Sequence, residues 1–170
     1  MFAALKRFVE DVSGTEPSSR GFSESDYRLA AAALLVHVAN VDGTTAAAER
    51  RRLQQIIEER FGLDAAEAAE LAAMAEQSDR DAVDFYRFTS VLKRALDDGE
   101  RLKIVEMLWD IAFADGTVHE FEDNAIWRIA ELLSIPSRDR VMLRQKVAAR
   151  TQQDPAAEGT WAGSGTQKKA

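Results

Sequence analysis

The sequence has no cysteine, so the chain cannot form disulfides, a thiolate zinc site, an iron–sulfur cluster or a cysteine nucleophile. Basic residues are also few: 22 lysines and arginines stand against 29 acidic residues, giving a formal net charge of -7. This surplus of negative charge argues against binding to nucleic-acid phosphates. No apolar run approaches the roughly 18 residues of a membrane span, and the N-terminus has no secretory signal pattern. We therefore expect a cytoplasmic protein without a transmembrane segment.

Proline is absent between Pro17 and Pro136, and that stretch is rich in Ala, Leu, Glu, Arg and Gln, which favour helices. Glycine is sparse as well, and four glycines each follow an apolar-periodic run, where they would end a helix. These are Gly43, Gly62, Gly99 and Gly116. The pattern predicts an all-α protein, a compact bundle of about seven helices over residues 23–150.

We predict the helices at about 25–41, 45–60, 64–77, 79 or 81 to 98, 100–114, 118–133 and 137–150. Asp64 and Glu67 have the spacing of a capping box, and so do Thr117 and Glu120. The fifth predicted helix is strongly apolar and should lie near the centre of the bundle. The run of three arginines at 50–52 predicts a solvated helix face.

The two ends differ from this core. Four apolar residues at helical spacing predict a short amphipathic helix at residues 1–12, followed by a linker at 13–22. They are Phe2, Leu5, Val9 and Val12. This helix could pack on its own domain, on a second copy, on a protein partner or peripherally on a membrane, and we favour its own domain or a copy. Residues 151–170 are rich in Gly, Ser, Thr and Gln and predict a disordered tail.

The sequence contains an internal repeat. Residues 34–56 align with residues 107–129, and the spacing D-G-T-x-x-x-x-E occurs in both, from Asp42 to Glu49 and from Asp115 to Glu122. Two halves related by a pseudo-two-fold axis are the simplest architecture that such a duplication predicts.

The repeated motif has two interpretations. In the first, each glycine ends a helix and each aspartate accepts hydrogen bonds from the following amides as an Asx turn. In the second, the aspartates lie in the last turn of a helix, where the negative end of the helix dipole requires compensation. A divalent cation held by Asp42 and Glu49, or by Asp115 and Glu122, would supply it.

An EF-hand does not fit the repeat, because the first two ligand positions hold residues of a continuing helix: Val38, Asn40, Ile111 and Phe113. His37 aligns with Asp110, one turn before the motif. It is either a further ligand or a solvated surface residue.

The repeated A-x-x-D-G-T-x-x-x-x-E turn in an acidic seven-helix domain resembles the TerB-like tellurite-resistance family and the related N-terminal domain of DjlA-type membrane co-chaperones. The similarity covers about residues 23–150. The resemblance implies a compact helical domain associated with tellurite and stress-response systems. It also implies metal chelation by the acidic residues that match: Asp42, Glu49, Asp115 and Glu122.

Three functions are open at this point. The first is a non-enzymatic stress-response domain that binds a divalent cation of unknown identity, or a membrane-associated partner, through the acidic turns. The second is a scaffold domain with structural turns, which binds an unidentified protein partner or a second copy of itself. The third is an enzyme that uses paired carboxylates as acid and base. The sequence argues against it, because it has only two histidines, no nucleophile motif and no phosphate-binding loop. We therefore predict no enzymatic activity.

Overall fold

A computed structural model of the chain describes residues 22–23, 26–41, 43 and 47–153. Every regular element in these residues is an α-helix, which confirms the predicted all-α class. The seven helices are α1 (Tyr27–Asn40), α2 (Ala47–Phe61), α3 (Ala65–Asp81), α4 (Tyr86–Ala95), α5 (Asp98–Ala112), α6 (Glu120–Leu132) and α7 (Ser137–Gln153). The predicted N-terminal helix at 1–12 and residues 154–170 of the predicted tail lie outside the described residues.

Two helices form the centre of the bundle. In α1 every residue from Leu29 to Val36 is buried, and in α5 every residue from Ile104 to Ala112 is buried, as predicted for the fifth helix. A helix that is apolar on all sides requires neighbours on all sides. The small side chains of Ala30 to Ala33 let α2, α3, α4, α5 and α6 pack around α1. No helix in the described part of the chain combines the length and hydropathy that a membrane span requires.

Three of the four glycines adopt the positive φ expected of a helix-ending residue: Gly43, Gly62 and Gly116. The prediction for Gly99 is wrong, because this residue lies in the first turn of α5. A capping box between Asp97 and Glu100 starts the helix there, with Oδ1 of Asp97 accepting from the Glu100 N–H at 2.8 Å. The predicted capping box of Asp64 and Glu67 is confirmed at the start of α3.

The boundary between α3 and α4 also differs from the prediction. We expected a new helix to begin at Asp79 or Asp81, but α3 continues through both residues. Asp84 instead stabilises the start of α4, where its Oδ1 accepts from the N–H of Tyr86 at 2.9 Å. Val83 is fully exposed in the connecting loop.

The order α1–α2–α3 is repeated by α5–α6–α7. In the first half, α1 contacts α2 and α3, and in the second half, α5 contacts α6 and α7. The second helix of each half also contacts the first helix of the other half: α2 contacts α5, and α6 contacts α1. The third helices, α3 and α7, both have 17 residues. The pseudo-two-fold relation of the halves stays a prediction, which these contacts support.

Candidate functional sites

The turn between α5 and α6 carries the second copy of the repeated motif. Oδ1 of Asp115 accepts a hydrogen bond from the N–H of Thr117 at 3.0 Å, which is the predicted Asx turn. Oδ2 of Asp115 lies 3.8 Å from Nε2 of His119. Because α5 ends at Ala112, Asp115 lies beyond the last helical turn. Its carboxylate therefore avoids the unfavourable interaction with the negative end of the helix dipole that the second interpretation assumed.

Glu122 occupies the third position of α6 and is only 2% exposed. Its Oε2 accepts from the N–H of His119 at 2.8 Å. The predicted capping box of Thr117 and Glu120 is therefore wrong. Because α6 begins at Glu120, its N-cap residue is His119, and the glutamate that completes the capping box is Glu122. A carboxylate on the buried face needs donors, and the unpaired backbone N–H groups of a helix start supply one.

The first copy of the motif is described only in part. Asp42 lies outside the described residues, whereas Gly43 and Glu49 are described. Glu49 occupies the third position of α2 and is 2% exposed, so it matches Glu122 in both place and burial. No group of three or more His, Asp or Glu side chains in the described ranges is arranged to hold a metal ion. Metal binding by these two turns stays a prediction.

His37 has a role that the sequence did not reveal. Its Nδ1 lies 2.8 Å from Oδ1 of Asp79, a hydrogen-bonding distance, so the pair links α1 to α3. Phe85 packs edge-on against the imidazole ring, with the ring centroids 4.7 Å apart. The two roles predicted for His37, a further metal ligand or a solvated surface residue, did not include this contact.

The largest ion-pair network among the described residues surrounds two buried acids of α5, Glu106 and Asp110, which we call the acidic pair. Its partners on α7 are Lys146, whose Nζ lies 3.2 Å from Glu106, and Arg150, whose Nη1 lies 3.0 Å from Glu106. Nη2 of Arg150 also donates to Oδ1 of Asp110. Burial alone would raise the pKa of Glu106, but the hydrogen bonds from Arg150 and Lys146 outweigh it and lower that pKa.

The opposite side of the acidic pair faces α2. Nη2 of Arg52 lies 3.7 Å from Oδ2 of Asp110, and Nη2 of Arg60 lies 3.9 Å from the same oxygen. Both distances exceed a hydrogen bond. Oδ2 is buried and has no hydrogen-bond partner within the described part of the chain. The cluster therefore joins α2, α5 and α7 through two carboxylates and four basic side chains.

Sequence reasoning missed this cluster. Glu106 and Asp110 are spaced by one helical turn within an otherwise apolar helix, and that spacing was the available signal. The prediction of a solvated face at residues 50–52 holds for Arg50 and Arg51, which are exposed. Arg52 differs because its side chain is only 34% exposed and faces the acidic pair.

One comparison with known proteins gives a match. Residues 28–145 match the family model described as tellurite resistance protein TerB. This range runs from α1 into α7 and includes both D-G-T turns. No curated protein and no solved structure matches the chain significantly. Since the family match covers well over half of the sequence, the chain belongs to the TerB tellurite-resistance family.

Proposed function

We propose that the chain is a non-enzymatic cytoplasmic domain that binds a protein partner in a tellurite-associated stress response, and that its D-G-T turns are structural. The observation that carries this proposal is the role of the two carboxylates in the second D-G-T turn, which the structure describes from end to end. Asp115 and Glu122 both accept hydrogen bonds from backbone N–H groups. Carboxylates used in this way shape a helix connection and need no cation.

The state of the acidic residues supports a non-enzymatic role. A general acid that works at neutral pH needs a raised pKa, whereas the pKa of Glu106 is lowered. Asp110 is 6% exposed and is covered by Arg52, Arg60 and Arg150. Neither carboxylate of the acidic pair is available to a substrate.

A surface suited to a protein partner lies between α6 and α7. The groove there has a volume of about 530 Å³ and is lined by Val118, Glu120, Asp123, Trp127, Val141, Arg144 and Gln145. Val141 in this lining is an apolar side chain that is 42% exposed, and the residues next in sequence to Glu120 and Val141 are also apolar and exposed: Phe121 at 64% and Met142 at 54%. Exposed apolar side chains beside a groove are typical of a site for an amphipathic helix.

Photo-crosslinking tests the partner. A photoreactive phenylalanine analogue at position 121 or 142 is expected to capture the same protein in cells, and the same analogue at the exposed position Glu70 on α3 is not. The captured protein is then purified and its affinity for the chain is measured. We expect Phe121→Ser to weaken this affinity at least tenfold, and unchanged affinity would contradict the assigned surface.

Calorimetric titration tests the turns. Ca²⁺, Mg²⁺, Mn²⁺ and Zn²⁺ are titrated into the full chain and into an Asp42→Asn/Asp115→Asn variant, with Asp84→Asn as the matched control. Asparagine keeps an oxygen acceptor but removes the charge. We expect no saturable binding that depends on Asp42 and Asp115.

The second candidate is a cation site at these turns. The observation that favours it is the repetition of an aspartate and a buried glutamate at the same spacing in both halves. Saturable binding that is lost in the double variant but kept in Asp84→Asn would establish this candidate and contradict the structural interpretation of the turns.

A further inference from the structure

Arg52 and Arg60 approach the same buried oxygen without using their hydrogen-bond donors on it. They lie two helical turns apart on α2, and their nearest atoms are 3.7 and 3.9 Å from Oδ2 of Asp110. Neither guanidinium donates a hydrogen bond to any of the residues that the structure describes. Each guanidinium has five N–H donors, and the side chains are 34% and 38% exposed, so these donors remain accessible from solvent.

The charge of this cluster is opposite to that of the chain. Two carboxylates are surrounded by four basic side chains: Arg52, Arg60, Lys146 and Arg150. The basic side chains outnumber the carboxylates, so the cluster is net positive within a chain whose formal net charge is -7. A net positive cluster attracts an anion.

Asp110 holds the two α2 arginines in place. Arg150 donates to its other oxygen, Oδ1, so the carboxylate has a fixed orientation under the cluster. The negative charge on Oδ2 attracts both Arg52 and Arg60, and this attraction holds the two planar guanidinium groups near the same oxygen. Planar guanidinium groups match the oxygens of an oxyanion better than single ammonium charges do.

We propose that Arg52 and Arg60 form a binding site for a small inorganic oxyanion, with Asp110 as the positioning residue. Phosphate and tellurite present the same chemistry, which is a compact group of anionic oxygens that accepts hydrogen bonds from both guanidinium groups. This site does not depend on the proposed protein partner or on the role of the D-G-T turns.

The test is calorimetric titration of sodium phosphate and of sodium tellurite into the full chain at constant ionic strength, with sodium chloride as the reference. We expect saturable binding of at least one oxyanion, and the ratio of the two affinities shows which source the site prefers. Arg52→Gln and Arg60→Gln are each expected to weaken binding about tenfold, the loss of one charge-assisted contact. Arg51→Gln is the matched control, because Arg51 is the exposed neighbour of Arg52.

A second variant separates specific binding from a general attraction of charge. Arg52→Lys keeps the charge but loses the planar donors, so we expect it to weaken binding nearly as much as Arg52→Gln. Thermal unfolding followed by circular dichroism verifies that each variant is folded. Absence of saturable binding, full affinity in Arg52→Lys, or equal losses in Arg51→Gln and Arg52→Gln would overturn the proposal.

Discussion

Arg150 connects the end of α7 to both members of the acidic pair, and its replacement tests how far this cluster stabilises the fold. Arg150→Gln removes hydrogen bonds to Glu106 and Asp110. The two carboxylate side chains are only 11% and 4% exposed, so water cannot replace the lost donor fully. We expect the free energy of unfolding to decrease.

The magnitude follows from the surroundings of Arg150. Removing one partner of a buried ion pair costs about 3–5 kcal/mol. The cost here is smaller, since the Arg150 side chain is 45% exposed and Lys146 still lies 3.2 Å from Glu106. We therefore expect a loss of about 2 kcal/mol, which corresponds to a decrease in Tm of about 4–8 °C for a chain of this size.

Urea unfolding followed by circular dichroism at neutral pH measures this loss. Arg138→Gln is the matched control, since Arg138 is an exposed residue of the same helix that forms no ion pair with the described residues, and its effect should stay within about 0.5 kcal/mol. Combining Arg150→Gln with Glu106→Gln should recover about 1 kcal/mol relative to additivity. The reasoning would be refuted if Arg150→Gln were no more destabilising than Arg138→Gln.

Three further predictions concern single residues. Because the pKa of Glu106 is lowered below its ordinary value of 4.5, its ion pairs stabilise the fold above about pH 4.5 and are lost as the pH falls through the folded-state pKa; acid unfolding of Glu106→Gln should lack this component. Glu122→Ala should destabilise the fold by about 1 kcal/mol or more in urea unfolding and Glu122→Gln by less, since glutamine can still accept from the N–H of His119; equal losses would contradict the capping role. Ser134 has a φ of 60°, a left-handed conformation that glycine adopts more readily than other residues. Ser134→Gly should therefore raise the free energy of unfolding by up to about 1 kcal/mol, although it loses the hydrogen bond from Lys93. Ser134→Ala loses the same hydrogen bond and keeps the unfavourable conformation, so it should give no gain.

Local signals in the sequence predicted much of the fold correctly. The capping box of Asp64 and Glu67 and the turns at Gly62 and Gly116 depend on residues close together in the chain, and the structure confirms them. Gly99 misled the prediction because the neighbouring capping box of Asp97 and Glu100 starts a helix at that point. Two local signals competed there, and the side-chain hydrogen bonds determined the outcome.

The repeat shows a different limit. It aligns His37 with Asp110, which lie near the C-terminal ends of α1 and α5, but their partners could not be predicted. His37 pairs with Asp79 of α3, and Asp110 pairs with Arg150 of α7. Each contact joins the first helix of a half to its third helix, with the acidic and basic partners exchanged.

The sequence by itself determined the helical class, the approximate positions of the helices, the duplication and the family resemblance, since these follow from composition, periodicity and short spacings. Only the tertiary structure showed that Glu106 and Asp110 are buried, and that α2 and α7 bring four basic side chains to them. Such contacts join residues some 40 to 60 positions apart, and they depend on how whole helices pack. The periodicity of one helix shows which face is apolar, but it does not specify which charged side chains of other helices will meet that face.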